Sequence, residues 1–276
     1  MSNIAIYRKE EVMKKSFLLI LVVGLMLFLA NCEKEAEVSP ERLKVLVDTV
    51  AQELEYEVWM DFSYELNKHY PEEYAAGMAM VRSAERAILE QDESRFLKIF
   101  ELLKSYPENG ALELTDQIAF GNRLAWIMAD QMMLFNNATD VIDFTVAKFK
   151  LHEESLQWRN ELGAMIYDTQ ANIFEKLDET EKALESYGLA LDYFEQPETL
   201  LRRGLILETM NDLEGALEDY ITALGLAPNQ VMIIQKVKEV FGKLNPNDDP
   251  QKFIHDIQES LQERRKEEVL SEVFDI

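Results

Sequence analysis

The sequence is poor in the residues that punctuate, cross-link or ligate: 276 residues include one cysteine, 10 glycines, 7 prolines and 3 histidines. A single cysteine closes no disulfide within the chain, so packing alone must hold the folded part. Scarce glycine and proline leave little material for many tight turns and suit long helices better than a sheet. Basic side chains are also few, 28 Lys and Arg against 52 Asp and Glu, for a net charge of −24. Direct nucleic-acid binding requires a basic footprint, and electrostatic adhesion to anionic lipid heads requires the same; both are disfavoured. The histidines His69, His152 and His255 fall in separate segments, with no His-x3-His or Cys-His spacing, so neither a metal site nor a cofactor is expected. No nucleophile elbow, phosphate loop or dinucleotide fingerprint occurs. Adjacent carboxylates such as Glu72-Glu73, Glu153-Glu154 and Asp248-Asp249 are expected by chance among 52 acids. The turn from Asn245 to Asp249 lacks the glycine and the distal glutamate of a calcium loop, and helix capping explains it better. The composition points away from an enzyme.

Long hydrophobic runs are lacking as well. Phe17 to Ala30 is an uncharged stretch of fourteen residues, short of the about 20 that a spanning helix needs but within the about 7 to 15 of a signal-peptide core. Lys14 and Lys15 precede it, and Leu29-Ala30-Asn31-Cys32 follows. This arrangement resembles the lipobox of bacterial lipoproteins, which implies that Cys32 becomes the lipid-modified first residue of the mature chain. Asn31 departs from the pattern, since Ala, Gly or Ser is commoner there. An uncleaved anchor or a cysteine placed by chance is the alternative. Met13 offers a second start with a compact basic head, and either start leaves the same mature chain. Residues 1–31 hold four basic and two acidic side chains, so the chain from Cys32 carries 24 Lys and Arg against 50 Asp and Glu, a net of −26. Residues 32–38 read as an acidic tether whose six residues after the cysteine reach roughly 20 Å at most. The expected location is the bacterial cell envelope, on a membrane rather than through it, at the outer membrane or a periplasmic face rather than the cytoplasmic one.

Within the remaining chain one pattern occurs twice. The later copy reads Leu200-x2-Arg203-Gly204-x2-Leu207-x8-Ala216-x3-Tyr220-x2-Ala223-x4-Pro228. The earlier copy reads Tyr167-x2-Gln170-Ala171-x2-Phe174-x8-Ala183-x3-Tyr187-x2-Ala190-x4-Glu195. Residues three and four apart share a helix face, so each copy is a helical hairpin in which small residues let two axes approach and an aromatic fills the groove beside them. Gly204 costs about 1 kcal/mol relative to alanine inside a helix, which predicts a close contact that a methyl group would spoil.

The pattern resembles the tetratricopeptide repeat, W-x2-L-G-x2-Y, then A-x3-F, then P, over about 34 residues. The match covers Pro197 to Gln230 well and Ala164 to Gln196 less closely, with Leu200 for the tryptophan, Ala171 for the glycine and Glu195 for the proline. The resemblance implies an all-α superhelical solenoid of antiparallel hairpins that presents a surface to a protein or peptide partner. One hairpin cannot bury its own apolar face, so the flanks should supply more.

They read that way. Ser39-Pro40 starts a helix carrying Leu43 to Leu66 at intervals of three and four; Pro71 starts a second; Asp92 caps a third with Phe96, Phe100 and Leu103 on one face. Glu108-Asn109-Gly110 is a loop. A helix with Ile118, Leu124, Ile127, Met128 and Met132 ends near Asn136-Asn137, and the next contains Val141, Phe144, Ala147, Phe149 and Leu151. Val231 to Leu244 should bury Ile234, Val237 and Phe241, and Asp249 should cap a last helix with Phe253, Ile254, Ile257 and Leu261 on its apolar face. The last few residues, Val269-Leu270 and Val273-Phe274, offer an apolar latch. The expected organisation is 1–31 signal peptide, 32–38 tether, 39–160 degenerate hairpins in the same stack, with an independent helical N-terminal domain as the alternative, 161–230 two recognisable repeats, and 231–276 capping helices. The expected function is a membrane-anchored interaction scaffold or adaptor; an accessory ligand-binding component of an envelope transporter is the alternative. Cys32 is the one residue assigned a role, lipidation.

Overall fold

The computed structural model describes residues 41, 44, 45, 47, 56–70, 72–106 and 112–274. The signal, the tether, the Ser39-Pro40 start, Pro71 and the loop at 108–110 lie outside the described residues, as do the side chains of the apolar latch. Among the described residues every regular element is helical and there is no strand. The chain divides into two compact units, Met1–Phe120 and Gly121–Ile276.

In the first unit, α1 (Tyr56–His69), α2 (Tyr74–Leu89) and α3 (Glu93–Lys104) each pack on the next. Alanines make the α2 face flat: Ala75, Ala76, Ala79, Ala84 and Ala87 are all buried. Gly77 is required there, because a Cβ would stand 2.5 Å from Leu112 Cγ. Ser83 on α2 donates to Ser63 of α1 at 2.6 Å, so a hydroxyl pair joins two otherwise apolar faces. Asp92 caps α3 as expected, accepting from Arg95 N at 3.1 Å. Phe96, Ile99 and Phe100 form the buried face and Leu103 is only partly covered.

Helix α4 (Leu114–Gln131) begins in the first unit and continues into the second. It stops short of the expected Asn136, because Met132 and Leu134 take left-handed backbone (φ 54° and 46°) and a single 3₁₀ turn, Phe135–Asn137, follows. Met132 therefore leaves the helix and is exposed. Helix α5 (Ala138–His152) buries Val141, Ile142, Thr145, Val146 and Phe149, whereas Ala147 and Leu151 face solvent and Phe144 is half-buried. The physical cause is Gly121. A Cβ there would lie 2.3 Å from Thr145 Oγ1, so α4 and α5 cross closely at this pair. Thr145 tolerates burial because its hydroxyl donates to Val141 O at 2.8 Å.

Beyond a second 3₁₀ turn, Glu153–Ser155, follow α6 (Arg159–Lys176), α7 (Thr180–Tyr193), α8 (Pro197–Thr209), α9 (Leu213–Leu226), α10 (Val231–Leu244) and α11 (Pro250–Phe274). Each helix from α5 to α11 packs on its successor; with short connections, this makes a stack of antiparallel hairpins. Helix α10 turns Ile233, Val237 and Val240 inward, one residue off the expected Ile234 and Phe241, which are half-buried. Phe241 instead stacks on Phe253 at 3.9 Å between ring centroids. Asp249 starts α11, accepting from Gln251 N at 2.9 Å; Ile254 is buried, and Phe253, Ile257 and Leu261 flank it half-buried.

Candidate protein-interaction surface

The small and aromatic signature residues of both copies lie inside the hairpins. Ala171, Ala183, Tyr187 and Ala190 are buried in α6–α7, as are Leu200, Ala216, Tyr220 and Ala223 in α8–α9, while Phe174 is half-buried. Gly204 has the close contact its helix position predicts: an added Cβ would meet Tyr220 Cε1 at 2.5 Å. These residues set the spacing of the helices and leave recognition to others.

The turn inside each hairpin is the same. A left-handed residue (Asp178, φ 58°; Asn211, φ 62°) precedes an acidic N-cap position. The N-cap amide reaches back along the chain, from Glu179 to Phe174 O and from Asp212 to Leu207 O, both at 2.9 Å. The α2–α3 hairpin uses it too, with Gln91 at φ 55° and Asp92 N on Ala87 O at 2.8 Å. Aligned on this turn, Ala84 stands where Gly204 does and Phe100 where Tyr220 does.

Two polar contacts also repeat in the same register, and sequence reasoning missed both. Tyr187 donates to Glu175 Oε2 at 2.9 Å, and Tyr220 to Glu208 Oε1 at 2.7 Å. Burial first, and the carboxylate beside it, push both phenols well above the ordinary tyrosine value. Ser186 donates to Gln170 Oε1 at 3.2 Å, and at the matching positions Arg203 grips buried Asp219 with Nε and Nη2 at 2.8 and 2.6 Å. That bidentate bond outweighs burial and raises the Arg203 guanidinium. The available signal was an agreement between the two registers at polar positions as well as apolar ones.

The junctions between hairpins differ. Between α6 and α8, Asp168 accepts from Thr199 Oγ1 at 2.8 Å, with Arg202 Nη1 at 3.6 Å. Burial pushes its carboxyl upward against both of those contacts. Between α8 and α10, Glu208 accepts from Lys236 and Lys243 at 2.9 and 3.2 Å in addition to Tyr220. Burial opposes its ionisation, but the three donors prevail and hold its carboxyl below the usual range.

The first helices of these hairpins, α6, α8 and α10, share a solvent face. Met165, Glu198 and Val231 occupy equivalent places on it and are exposed; Asn172, Leu205 and Lys238 form a second row, with Leu205 exposed. Asp168 with Arg202 and Thr199 lies between the first two helices. The surface is open and mixed, with apolar side chains set among charges of both signs, which suits the side chains of another polypeptide rather than bond-making chemistry.

Residues 197–230 match the tetratricopeptide repeat. The matched residues are α8 and α9 with the turn between them and the connection that follows. The structure is therefore an all-α, tetratricopeptide-like stack, and repeats of this type point to protein–protein interaction rather than catalysis. No curated protein matches the sequence.

Of the other residues that the sequence singles out, Cys32 lies outside the described residues. His69 ends α1, His152 ends α5 and His255 is exposed on α11. Among the described residues no group of three or more His, Cys, Asp or Glu is arranged to hold a metal ion. The first unit has a pocket of about 450 Å³ among α1, α2 and α3, floored by Met60, Met80 and Ile99 with Asp61, Arg95 and Lys98 as its charged groups. Beside it Tyr56 donates to Asp92 Oδ2 at 3.1 Å, and burial with that carboxylate pushes its phenol up to about 12.

Proposed function

We propose that this protein is a lipid-anchored scaffold of the bacterial cell envelope that binds a protein or peptide partner on the shared face of α6, α8 and α10. The supporting observation is the alternation on that face: Met165, Leu205 and Val231 are exposed between Glu198, Arg202 and Lys238, while the signature residues behind them are buried. The anchoring half of the proposal rests on residues 14–38, the basic pair, the fourteen-residue apolar run and Cys32. A lipid anchor would confine partner and scaffold to one surface and raise their effective concentration. The net charge of −24 favours a partner of opposite sign over a nucleic acid.

The test is affinity capture of membrane-extracted protein beside a Cys32→Ala version, with palmitate labelling of both. The expected result is label on the native chain alone and a stoichiometric envelope protein recovered with it, lost when Met165 and Leu205 are changed to Asp. Label on both forms, or none on either, would remove the anchor. A partner that survives the face substitutions would remove the face.

The ligand-binding alternative has one feature in its favour, the pocket of about 450 Å³ in the first unit. Its apolar floor with a few charged groups is the usual composition of a small-molecule site. Binding of a ligand that Met80→Trp abolishes while the partner is retained would assign the two roles to separate units.

A further inference from the structure

Helices α5 to α10 alternate in direction, so the connections between hairpins, residues 153–158, 194–196 and 227–230, all lie at one end of the stack. That end is apolar to a degree that packing does not explain. Leu151 (75% exposed), Trp158 (65%) and Phe194 (49%) are joined along it by Leu226 and Met232. The bond from Tyr193 Oη to Glu153 at 2.6 Å, and Arg159 over the Tyr193 ring, bring the end of α7 against the α5–α6 connection. Leu151, Trp158 and Phe194 therefore belong to one neighbourhood. The opposite end of the second unit exposes Met132, Leu177 and Met210, none of them aromatic.

Trp158 adds an independent observation. It holds left-handed backbone (φ 62°, ψ 31°) at the start of α6. For a bulky residue this conformation is a true outlier, and such strain concentrates at working surfaces. An indole that is strained and mostly in water returns little to the fold of this chain.

We propose that this loop ridge is a second docking surface, separate from the face of α6, α8 and α10, and that its occupant is a basic amphipathic segment of a partner protein. Charge selects the occupant. Glu153, Glu154, Glu161, Asp192 and Glu195 surround the ridge, with Lys150 and Arg159 as the cations set among them. Both cations are already engaged, Lys150 over the Tyr167 ring and Arg159 with Glu154 and the Tyr193 ring. An acidic rim around large apolar side chains fits apolar residues flanked by Lys or Arg. It repels an anionic bilayer, and it repels a second copy of itself.

The test presents the full chain in phosphatidylcholine nanodiscs to a short amphipathic helix of Leu and Lys, and to the same peptide with Glu for Lys, reading affinity by fluorescence anisotropy. The Lys peptide should bind and the Glu peptide should not. A Leu151→Asp, Trp158→Asp, Phe194→Asp variant should lose at least tenfold, while Met165→Asp with Leu205→Asp changes affinity less than twofold. Because three charges risk the fold, Trp158→Gly is the companion variant. Glycine accepts left-handed backbone without strain, so affinity should fall severalfold while the thermal midpoint holds or rises. Equal binding to all variants overturns the proposal. So does equal binding of the two peptides, the outcome expected of a surface that rests on a zwitterionic bilayer, and so does self-association that the ridge variant abolishes in place of peptide binding.

Discussion

Hairpins α6–α7 and α8–α9 share a backbone, a turn and a buried tyrosine, yet they are held together by different chemistry. The first is joined by a neutral Ser186–Gln170 bond at 3.2 Å, and the second by the partly buried Arg203–Asp219 pair at 2.6 and 2.8 Å. Glu175 accepts the Tyr187 hydroxyl and is exposed, whereas Glu208 is enclosed by Tyr220, Lys236 and Lys243. The tetratricopeptide match falls on the second copy. Steric positions preserve the hairpin, because helix spacing depends on them, while polar positions are free to exchange an ion pair for a hydrogen bond.

The largest effect should come from the shared element. Tyr220→Ala and Tyr187→Ala each empty a fully buried site and should cost about 3–5 kcal/mol, read by thermal or denaturant unfolding. A much smaller loss at Tyr187 would break the equivalence of the copies. The ion pair should separate them. Asp219→Ala strands Arg203, whose side chain is only partly buried, and should cost about 2–3 kcal/mol, below the about 3–5 of a fully enclosed pair. Ser186→Ala should cost about 1 kcal/mol or less. Equal costs would show that charge contributes nothing extra.

A smaller and opposite pair concerns the close approach. Gly204→Ala gains about 1 kcal/mol of helix propensity but drives a methyl group to 2.5 Å from a Tyr220 ring that is fully buried and tied to Glu208. Overpacking should prevail, for a net loss of about 1–2 kcal/mol. Ala171→Gly should lose about 1 kcal/mol for the opposite reason. A stabilised Gly204→Ala protein would mean that the hairpin slides apart freely.

The smallest effects are in pH. The Glu208 carboxyl is held below its ordinary value; its contribution is full above the unfolded carboxylate pKa and is lost as pH falls through the lowered folded value. Asp168 is raised; its contribution is full below the unfolded pKa and is lost as pH rises through the folded value. Glu208→Gln should therefore flatten the acid limb of the stability curve. Asp168→Asn, which retains an acceptor for Thr199, should leave stability at neutral pH unchanged or slightly higher. Parallel shifts in the two variants would contradict the difference between the junctions.

The helical class was legible because apolar residues recur at three and four, and the repeats because small and aromatic residues return in the same order in both hairpins. Asp92 and Asp249 were legible as caps because capping depends on the next turn alone. The inward face of α5 was not: Thr145 is buried for the sake of Gly121 on another helix, and Leu151, apolar by type, faces water. The end of α4 was missed because its stop is two left-handed residues, Met132 and Leu134, of types that carry no such signal. The surface of α6, α8 and α10 was expected in kind but not in its residues, since exposure depends on the neighbouring hairpin.

By itself the sequence determined the helical periodicity, the spacing of two hairpins and the small residue at each crossing, because these follow from local geometry and side-chain volume. Tertiary structure alone decided which carboxylates are raised or lowered, which polar pairs meet from one helix to the next, and which large apolar side chains remain in water. Those properties depend on desolvation and on partners from other helices, which a linear order of residues does not contain.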